Sequence, residues 1–211
     1  MKAFIFLPVV MLLSITGCAQ NNSGGIVGGG CEGCEAIFES PIPFDQLNWI
    51  DTLPDFKEAG PKLLITGRIF QADGKTPARN TVLYLYHTDQ KGIYATKGNE
   101  KGWAKRHGYI RGWIRTNEEG RYAFYTLKPA AYPGRKDPAH IHPVIKEADK
   151  NPYWIDEYLF DDDPLLTTEK RKQQPKHGGN GILTLTMKDG MLTGTRDIIL
   201  GLNIPNYPVK K

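Results

Sequence analysis

Residues 131–142 read AYPGRKDPAHIH, a stretch that places Tyr132 eight residues before a pair of histidines separated by one apolar residue. Side chains at positions i and i+2 of a β-strand point to the same face, roughly 7 Å apart. On a strand, His140 and His142 can therefore converge on one metal ion, while Ile141 faces the opposite side and enters a core. A phenol and two imidazoles are an unusual donor set, and they predict a metal site on a β-strand.

Strand signals continue on both sides of this stretch, from residue 62 to residue 202. Runs rich in β-branched and aromatic residues are separated by turn signals such as Asp73-Gly74 and Asp189-Gly190. The predicted strands cover residues 63–70, 81–86, 112–116, 122–127, 140–146, 153–160, 182–187, 191–195 and 197–202. Only residues 168–174 indicate a short helix. Short strands at this spacing, without a long helical period, predict an all-β sandwich or barrel.

The N-terminus carries a targeting signal. After the basic start Met1-Lys2, residues 3–13 are almost wholly apolar but fall short of the about 20 residues that span a bilayer, which is typical of a secretory signal peptide. Residues 14–18, SITGC, resemble the lipobox of bacterial lipoproteins, although an ordinary signal peptide with a chance cysteine is the alternative. The lipobox implies cleavage after residue 17 and lipidation of Cys18. We therefore expect a lipid anchor on the extracytoplasmic side of the cell envelope, at the outer membrane.

The mature chain is long enough for one domain and is mixed in charge. Removal of residues 1–17 leaves 194 residues, enough for a single domain with its own core. The whole sequence has a formal net charge of +4, and its positive charges are well interspersed with negative ones. No basic cluster with interleaved aromatic residues is visible, which argues against a nucleic-acid partner.

Residues 18–30 are polar and glycine-rich and predict a flexible tether, followed by an N-terminal extension at 31–61 and a β-rich domain at 62–211. The extension begins with Cys31 and Cys34, and in an oxidising compartment a disulfide between them is expected. A redox-active pair would need a helix N-terminus to lower a thiol pKa, and the surrounding glycine and glutamates supply none. An intermolecular or metal-binding role is the remaining alternative.

The histidine pair on its own has two other interpretations. Two histidines on a half-buried strand need bind nothing, and a zinc site would add a third histidine or a carboxylate, for which residues 161–163 are candidates. Three acids before Pro164 are, however, more typical of a solvated loop. The neighbourhood favours the metal interpretation, because the turn at 132–134 holds a phenol beside the strand and Pro138 stiffens the entry to it.

Four blocks of the sequence, in this order, are similar to one known family. They are ITGRIFQADGKTPARNTVLYLYHTDQKGIY at 65–94, RGWIRTNEEGRYAFYTLKPAAYPGR at 111–135, PAHIH at 138–142 and TRDIILGL at 195–202. Over about residues 62–202 the chain resembles the intradiol ring-cleavage dioxygenases, which include catechol and protocatechuate dioxygenases. The resemblance implies an antiparallel, prealbumin-like β-sandwich with long loops for the domain at 62–211. Members often form dimers, so a homodimer is compatible with it.

The resemblance further implies a mononuclear Fe(III) site with two tyrosinates and two histidines. Tyr132, His140 and His142 match the family motif, and Tyr94 takes the place of the first tyrosine, with Tyr109 as the alternative. Free tyrosine has a pKa near 10, so a phenolate at neutral pH requires a strong Lewis acid beside it. Hard anionic oxygen donors favour Fe(III), in contrast to the two-histidine, one-carboxylate set that suits Fe(II) oxygenases.

The implied reaction cleaves a catechol-type substrate with O2, between the two carbons that bear its hydroxyl groups, and gives a cis,cis-muconate-type diacid. In this scheme Tyr132 leaves when the substrate binds and accepts a catechol proton as a base. Tyr94 and His142 are implied to stay in place, with His140 opposite Tyr132.

One position departs from the family. Better-known members carry an arginine immediately before the PAHIH proline, where this chain has Asp137. We expect Arg135, two residues earlier, or Arg111 to stabilise negative charge on the substrate ring instead. Residues 101–113 (KGWAKRHGYIRGW) are predicted to form a pocket wall, with an exposed aromatic loop that binds no ligand as the alternative.

The same sequence features are compatible with two other classes of function. One is a non-catalytic β-sandwich module at the cell surface that has kept the fold without turnover. The other is a zinc-dependent hydrolase that uses His140 and His142. The sequence does not choose among particular catechols.

Overall fold

The folded part of the chain is built almost entirely from short strands. The computed structural model describes residues 26–208, so the predicted signal peptide, Cys18 and the first part of the predicted tether lie outside the described residues. The strands are β1 Ile50–Thr52, β2 Lys62–Phe70, β3 Val82–His87, β4 Arg111–Arg115, β5 Arg121–Leu127, β6 His140–Lys146, β7 Tyr153–Trp154, β8 Tyr158–Phe160, β9 Ile182–Leu183, β10 Thr186–Lys188, β11 Met191–Thr195 and β12 Ile198–Ile199. The helices are α1 Ala104–His107 and α2 Thr168–Lys172, with short 3₁₀ segments at Cys34–Glu39, Phe44–Gln46 and Pro54–Lys57. None of the helices between residues 26 and 208 is long and apolar enough to cross a membrane.

The strands pair into two sheets, and this arrangement confirms the predicted β-sandwich. One sheet has the order β1-β5-β2-β11-β10, with β12 also paired to β2. The other has the order β4-β3-β6-β8-β9, with β7 also paired to β6. The sheets are mixed, because β1–β5, β2–β11, β2–β12 and β8–β9 run parallel while the other pairs are antiparallel.

The main core fills the space between the sheets with alternate residues of the central strands. Phe124 of β5, Leu83 of β3 and Ile141 of β6 are fully buried in it. A slip of one residue along β6 would expose Ile141, whose burial contributes about 1.5–3 kcal/mol, and would place two imidazoles in the core. The register is therefore fixed by the isoleucine, and His140 and His142 lie on the outer face of their sheet.

The N-terminal extension covers part of that outer face. A second, smaller core forms where Ala36 and Ile37 pack against Tyr84 of β3 and Trp113 of β4. The indole Nε1 of Trp113 donates a hydrogen bond to the carbonyl oxygen of Ile37 at 2.9 Å. Further along, β1 adds to the edge of the other sheet beside β5. The extension is thus packed onto both sheets.

Two runs that the sequence predicts as single strands are each divided. Residues 155–157 separate β7 from β8, because the Asp156 carboxylate accepts a hydrogen bond from the Lys176 amide at 2.7 Å and lies 3.2 Å from His177 Nδ1. The run at 182–187 changes sheets: β9 pairs with β8 and β10 pairs with β11. A strand that crosses between sheets keeps the same residue preferences throughout, so its sequence gives no sign of the crossing.

Candidate metal centre

Four side-chain donors meet at one end of β6. The Tyr94 hydroxyl lies 2.5 Å from the Tyr132 hydroxyl and 2.8 Å from His142 Nε2. His140 Nε2 lies 3.2 Å from the Tyr132 hydroxyl and 3.0 Å from His142 Nε2. The Tyr132 hydroxyl is also 3.4 Å from His142 Nε2. The structure therefore brings together the four residues that the sequence predicts as metal ligands.

The histidines converge because they share one face of β6, with ring centroids 4.5 Å apart. His140 Nδ1 lies 2.7 Å from the carbonyl oxygen of Pro138 and can donate its proton there, which leaves Nε2 with a lone pair for a metal. Just before the strand, the Ala139 amide donates to Asp163 at 2.8 Å. These two contacts hold the start of β6 and aim its first histidine at the site.

The other acids of the run at 161–163 are used away from the donors. Asp161 pairs with Arg171, and Asp162 pairs with Lys128 at 2.7 Å. Within residues 26–208, no group of three or more histidine, cysteine, aspartate or glutamate side chains is placed to hold a metal ion. The acids of 161–163 thus do not supply the carboxylate that the zinc alternative requires.

The two tyrosines lie in loops that are tied to each other. In the turn that leads from β3 to Tyr94, Asp89 Oδ1 accepts hydrogen bonds from two amides of the turn, at 2.8 and 3.1 Å. Tyr132 follows β5, and two residues before it the Ala130 amide donates to the Asp89 carbonyl oxygen at 3.2 Å. Thr88 also donates its hydroxyl proton to the Ala130 carbonyl at 2.7 Å. The separation of the two phenols is therefore set by hydrogen bonds between the loops.

Gly92 lies at the point where these loops are closest. Its φ is 73°, in the left-handed region that favours glycine. A Cβ at this position would overlap the carbonyl oxygen of Ala131 and come within 3.0 Å of Pro133 Cδ. Only glycine permits this approach, and the approach is what brings the two hydroxyl groups together.

Burial determines the protonation of the donors before a metal binds. Burial, followed by the hydrogen bond with Tyr132, raises the pKa of Tyr94 well above its ordinary value. Burial also raises the pKa of Tyr132. Burial and then the neighbouring His140 lower the pKa of His142 far below its ordinary value. At neutral pH the phenols are thus protonated and His142 is neutral, so only a strongly charged cation can convert the phenols to phenolates.

The donor spacing fits a single metal ion. Ligands held about 2.0–2.1 Å from one metal, at angles between about 90° and 110°, are separated by about 2.8–3.4 Å. Four of the five donor separations given above fall in that range. Two phenol oxygens in the set favour a hard cation such as Fe(III).

A column of aromatic rings supports His142. Tyr86 stacks on His142, with centroids 4.6 Å apart and 16° between the planes, and also on His107, at 3.8 Å and 5°. Trp103 continues the column 5.3 Å from His107. Gly33 packs against this end, where a Cβ would lie 2.9 Å from His107 Nε2. Because Gly33 lies between Cys31 and Cys34, which are joined by a disulfide, the column runs from that loop to the donors.

This column of rings is not predicted by the sequence. The sequence predicts Tyr86 only as part of the strand at 81–86, and it predicts residues 101–113 as a pocket wall without a helix. The structure places α1 in that stretch, and His107 and Trp103 pack into the column. Neither of them lines the cavity of about 520 Å³ that adjoins the donors. The aromatic residues of 101–113 are the sequence feature that could have indicated the column. Their contacts with Tyr86, however, depend on the register of β3 with β4 and β6, which the sequence does not show.

Two cavities adjoin the donors. The larger has a volume of about 520 Å³ and is lined by Tyr132, His140 and His142 but not by Tyr94. This volume is typical of small-molecule sites. The smaller, of about 150 Å³, lies between the disulfide loop and His142. A molecule in the larger cavity thus has direct access to three of the four donors.

The predicted auxiliary residues differ in position. Arg135 lines the larger cavity, with its guanidinium 5.7 Å from the Tyr132 ring centroid and its Nε 3.5 Å from Asp137. Arg111 lies outside that lining and pairs with Glu39 at 2.7 Å. Tyr109, the alternative to Tyr94, donates its hydroxyl proton to Glu58 at 2.6 Å and is not among the four donors.

The family model and the known proteins that match this chain are all named as dioxygenases. The family model described as "Dioxygenase" matches residues 42–173, a range that contains all four donors. The protocatechuate 3,4-dioxygenase beta chain of Burkholderia cepacia is 31% identical over 113 residues, which are 51% of this chain and 48% of that protein. Catechol 1,2-dioxygenase 1 of Acinetobacter lwoffii is 30% identical over 138 residues, 58% of this chain and 42% of that protein. The chain thus spans less than half of the length of these relatives.

A solved structure supports the same fold. It is the dioxygenase domain of a dioxygenase carbohydrate-binding protein fusion from Streptomyces sp. SirexAA-E, which superposes with a TM-score of 0.55 at 21% identity. The match covers 71% of this chain and 88% of that one. The family model covers more than half of the sequence and includes the strand and both loops that carry the donors. The chain belongs to the intradiol dioxygenase family.

Proposed function

We propose that this chain is a non-haem Fe(III)-dependent dioxygenase that cleaves a catechol-type ring with O2 to a cis,cis-muconate-type diacid. The observation that carries the proposal is the convergence of two phenol oxygens and two imidazole nitrogens beside a cavity of about 520 Å³. Tyr94, Tyr132, His140 and His142 would hold the metal. When bound, Fe(III) would supply a Lewis acid that activates a catechol-type ring towards O2.

The cavity supports different roles for the two tyrosines. Tyr132 lines the cavity and Tyr94 does not, so an incoming catechol meets the Tyr132 hydroxyl first. We assign to Tyr132 the exchange with substrate and the acceptance of one catechol proton at its phenolate oxygen. Tyr94, held by the Asp89 turn, remains in place with the two histidines.

Arg135 is the cavity-lining arginine and is the candidate for stabilising negative charge on the substrate ring. Its guanidinium lies 5.7 Å from the Tyr132 ring centroid, and the nearby carboxylate of Asp137 partly offsets its positive charge. Arg111 is unsuited to this role because it is paired with Glu39 and lies outside the cavity lining.

The test is to load the purified protein with Fe(III) under anaerobic conditions and record its visible spectrum. A tyrosinate–iron site gives a red-brown protein whose band shifts when catechol is added, and admission of O2 then consumes one O2 per diacid formed. Tyr132→Phe and His142→Ala should each abolish metal binding or O2 uptake. Tyr109→Phe is the matched control and should retain both. A protein that stays colourless with Fe(III), or full activity in either of the first two variants, refutes the proposal.

We also propose that the enzyme acts at the cell envelope, anchored through lipidated Cys18. The lipobox-like stretch at 14–18 supports this location. A homodimer is compatible with the resemblance to the family, whose members often form dimers.

A further inference from the structure

Glu157 stands directly beside a proposed metal ligand. Strands β6 and β8 pair His140 with Leu159 and Ile141 with Tyr158, so the next position of this register sets Glu157 opposite His142. Residues opposite each other in an antiparallel pair share a face of the sheet, with Cβ atoms about 4.5–5.5 Å apart. Glu157 Oε1 is 3.9 Å from His142 Nδ1, on the side of the ring away from the other donors.

The position of Glu157 is fixed by its neighbours along the chain. Asp156 is buried, and its amide donates to the His177 carbonyl oxygen at 3.2 Å. Tyr158 is fully buried, and its hydroxyl donates to that of Tyr122 at 3.0 Å. With both neighbours held in the interior, the Glu157 side chain must point outward, and it remains 44% exposed. It lines both the larger and the smaller cavity.

Glu157 is the cavity-lining acid that has no cationic partner. Within residues 26–208, no lysine or arginine lies within 4.0 Å of its carboxylate, and the ionisable side chain nearest to it is the neutral imidazole of His142. The other acid of the larger cavity, Asp137, is matched by Arg135 at 3.5 Å. Lys170 of α2 also lines that cavity, and its ammonium group donates to backbone carbonyl oxygens, including that of Leu165 at 3.0 Å. Glu157 is therefore the acid of the larger cavity whose carboxylate forms no ion pair with a lysine or arginine in the described part of the chain.

We propose that Glu157 determines the charge preference of the substrate site, which favours catechols with a neutral or cationic ring substituent and disfavours those with a carboxylate. The inference rests on the proposed function, since a catechol held by the metal would occupy the larger cavity, which Glu157 lines. Two unit charges about 7 Å apart at a partly exposed site change a binding constant roughly 3- to 50-fold, depending on the effective dielectric constant. The Glu157 carboxylate should strengthen the binding of a cationic catechol and weaken that of an anionic one. The ratio of the two affinities should therefore change by more than the affinity for either catechol alone.

The experiment measures dissociation constants of the Fe(III)-loaded protein under anaerobic conditions, from the shift of the visible band. The probes are 4-methylcatechol (neutral), 3,4-dihydroxybenzoate (anionic) and 2-(3,4-dihydroxyphenyl)ethylamine (cationic). Wild type should bind the cationic probe at least tenfold more tightly than the anionic one. Glu157→Gln should reduce that ratio about tenfold and leave the neutral probe within about twofold, whereas Glu157→Asp should retain the ratio.

Glu118→Gln is the matched control, since it removes the same charge from a surface turn where Glu118 pairs with Arg79. It should leave all three constants unchanged. Raising the salt concentration from 0.01 to 1 M should also shrink the wild-type ratio, which tests the idea even if Glu157→Gln fails to fold.

An unchanged ratio in a folded Glu157→Gln variant, or a salt-independent wild-type ratio, overturns the role of Glu157 while leaving the dioxygenase proposal intact. Tighter binding of the anionic probe by wild type overturns it as well. If wild type shows no band shift with any of the three catechols, the proposed function itself fails and this inference fails with it.

Discussion

Replacement of Gly92 by alanine should separate the two tyrosine loops and weaken the metal centre. Gly92 has a φ of 73°, a conformation that costs a non-glycine residue about 1–2 kcal/mol. The new Cβ would also overlap the Ala131 carbonyl oxygen, 2.8 Å from its carbon and 3.0 Å from Pro133 Cδ. Carbon–carbon contacts are ordinarily about 3.5–4.0 Å, and the overlap with the carbonyl oxygen is closer still, so the loops must move apart by at least about 1 Å.

That movement acts directly on the donors. The hydroxyls of Tyr94 and Tyr132 are now 2.5 Å apart, and each tyrosine lies only a residue or two from the overlap. We expect an unfolding free energy lower by about 2–4 kcal/mol, from the strained φ and the overpacking together. We also expect Fe(III) to bind at least tenfold more weakly, since displacement of a metal-supporting group typically costs 10–100-fold in affinity.

Gly134→Ala provides the matched control. Gly134 has a φ of 70° and belongs to the turn after Tyr132, but a Cβ there would meet no atom within 4 Å. This variant should lose only the about 1–2 kcal/mol of backbone strain and keep its affinity for Fe(III). The assays are urea unfolding of the metal-free proteins and competition of the loaded proteins with a chelator of known affinity. Equal affinities for Fe(III) in the two variants would refute the reasoning.

Two further predictions concern the column of rings and the Cys31–Cys34 disulfide loop that packs against it. The double variant Cys31→Ser/Cys34→Ser opens a very short disulfide loop, so its unfolding free energy should fall by about 2 kcal/mol in urea, and an unchanged midpoint would contradict this. Burial lowers the pKa of His107 to about 4. Below its ordinary pKa of about 6.5, the unfolded chain therefore takes up a proton that the folded chain does not, and stability is lost as the pH falls from about 6.5 towards 4. His107→Asn should abolish that contribution, about 2 kcal/mol between pH 8 and pH 5 by urea unfolding at each pH, and parallel pH profiles in the two proteins would exclude it.

The sequence predicts much of the fold because strand preference is a local property. The alternation around Ile141 places the histidines on the outer face, and each central strand lies within one or two residues of its predicted bounds. The loop tyrosines are different, since nothing local relates Tyr94 to Tyr132. Only the resemblance to a family pairs them, and the geometry that does so, the close approach at Gly92, depends on how the loops pack.

Features that depend on register between strands were not predictable from the chain alone. Glu157 belongs to a run that reads as one continuous strand, and its place beside His142 follows from the pairing of β6 with β8. Tyr86 similarly reaches His142 because β3 pairs with β6 at that position. The break at Asp156 results from contacts with residues 176–177, about twenty positions away, which no local pattern shows.

The ring column also gives the protein an internal optical reporter. Trp103 is separated from His142 by only two rings, those of His107 and Tyr86. A coloured metal ion at the donors would accept excitation energy from an indole at such short range and quench its emission. The intrinsic fluorescence of the protein should therefore fall as the site fills and recover when a chelator empties it, so that occupancy can be followed in dilute solution without a label.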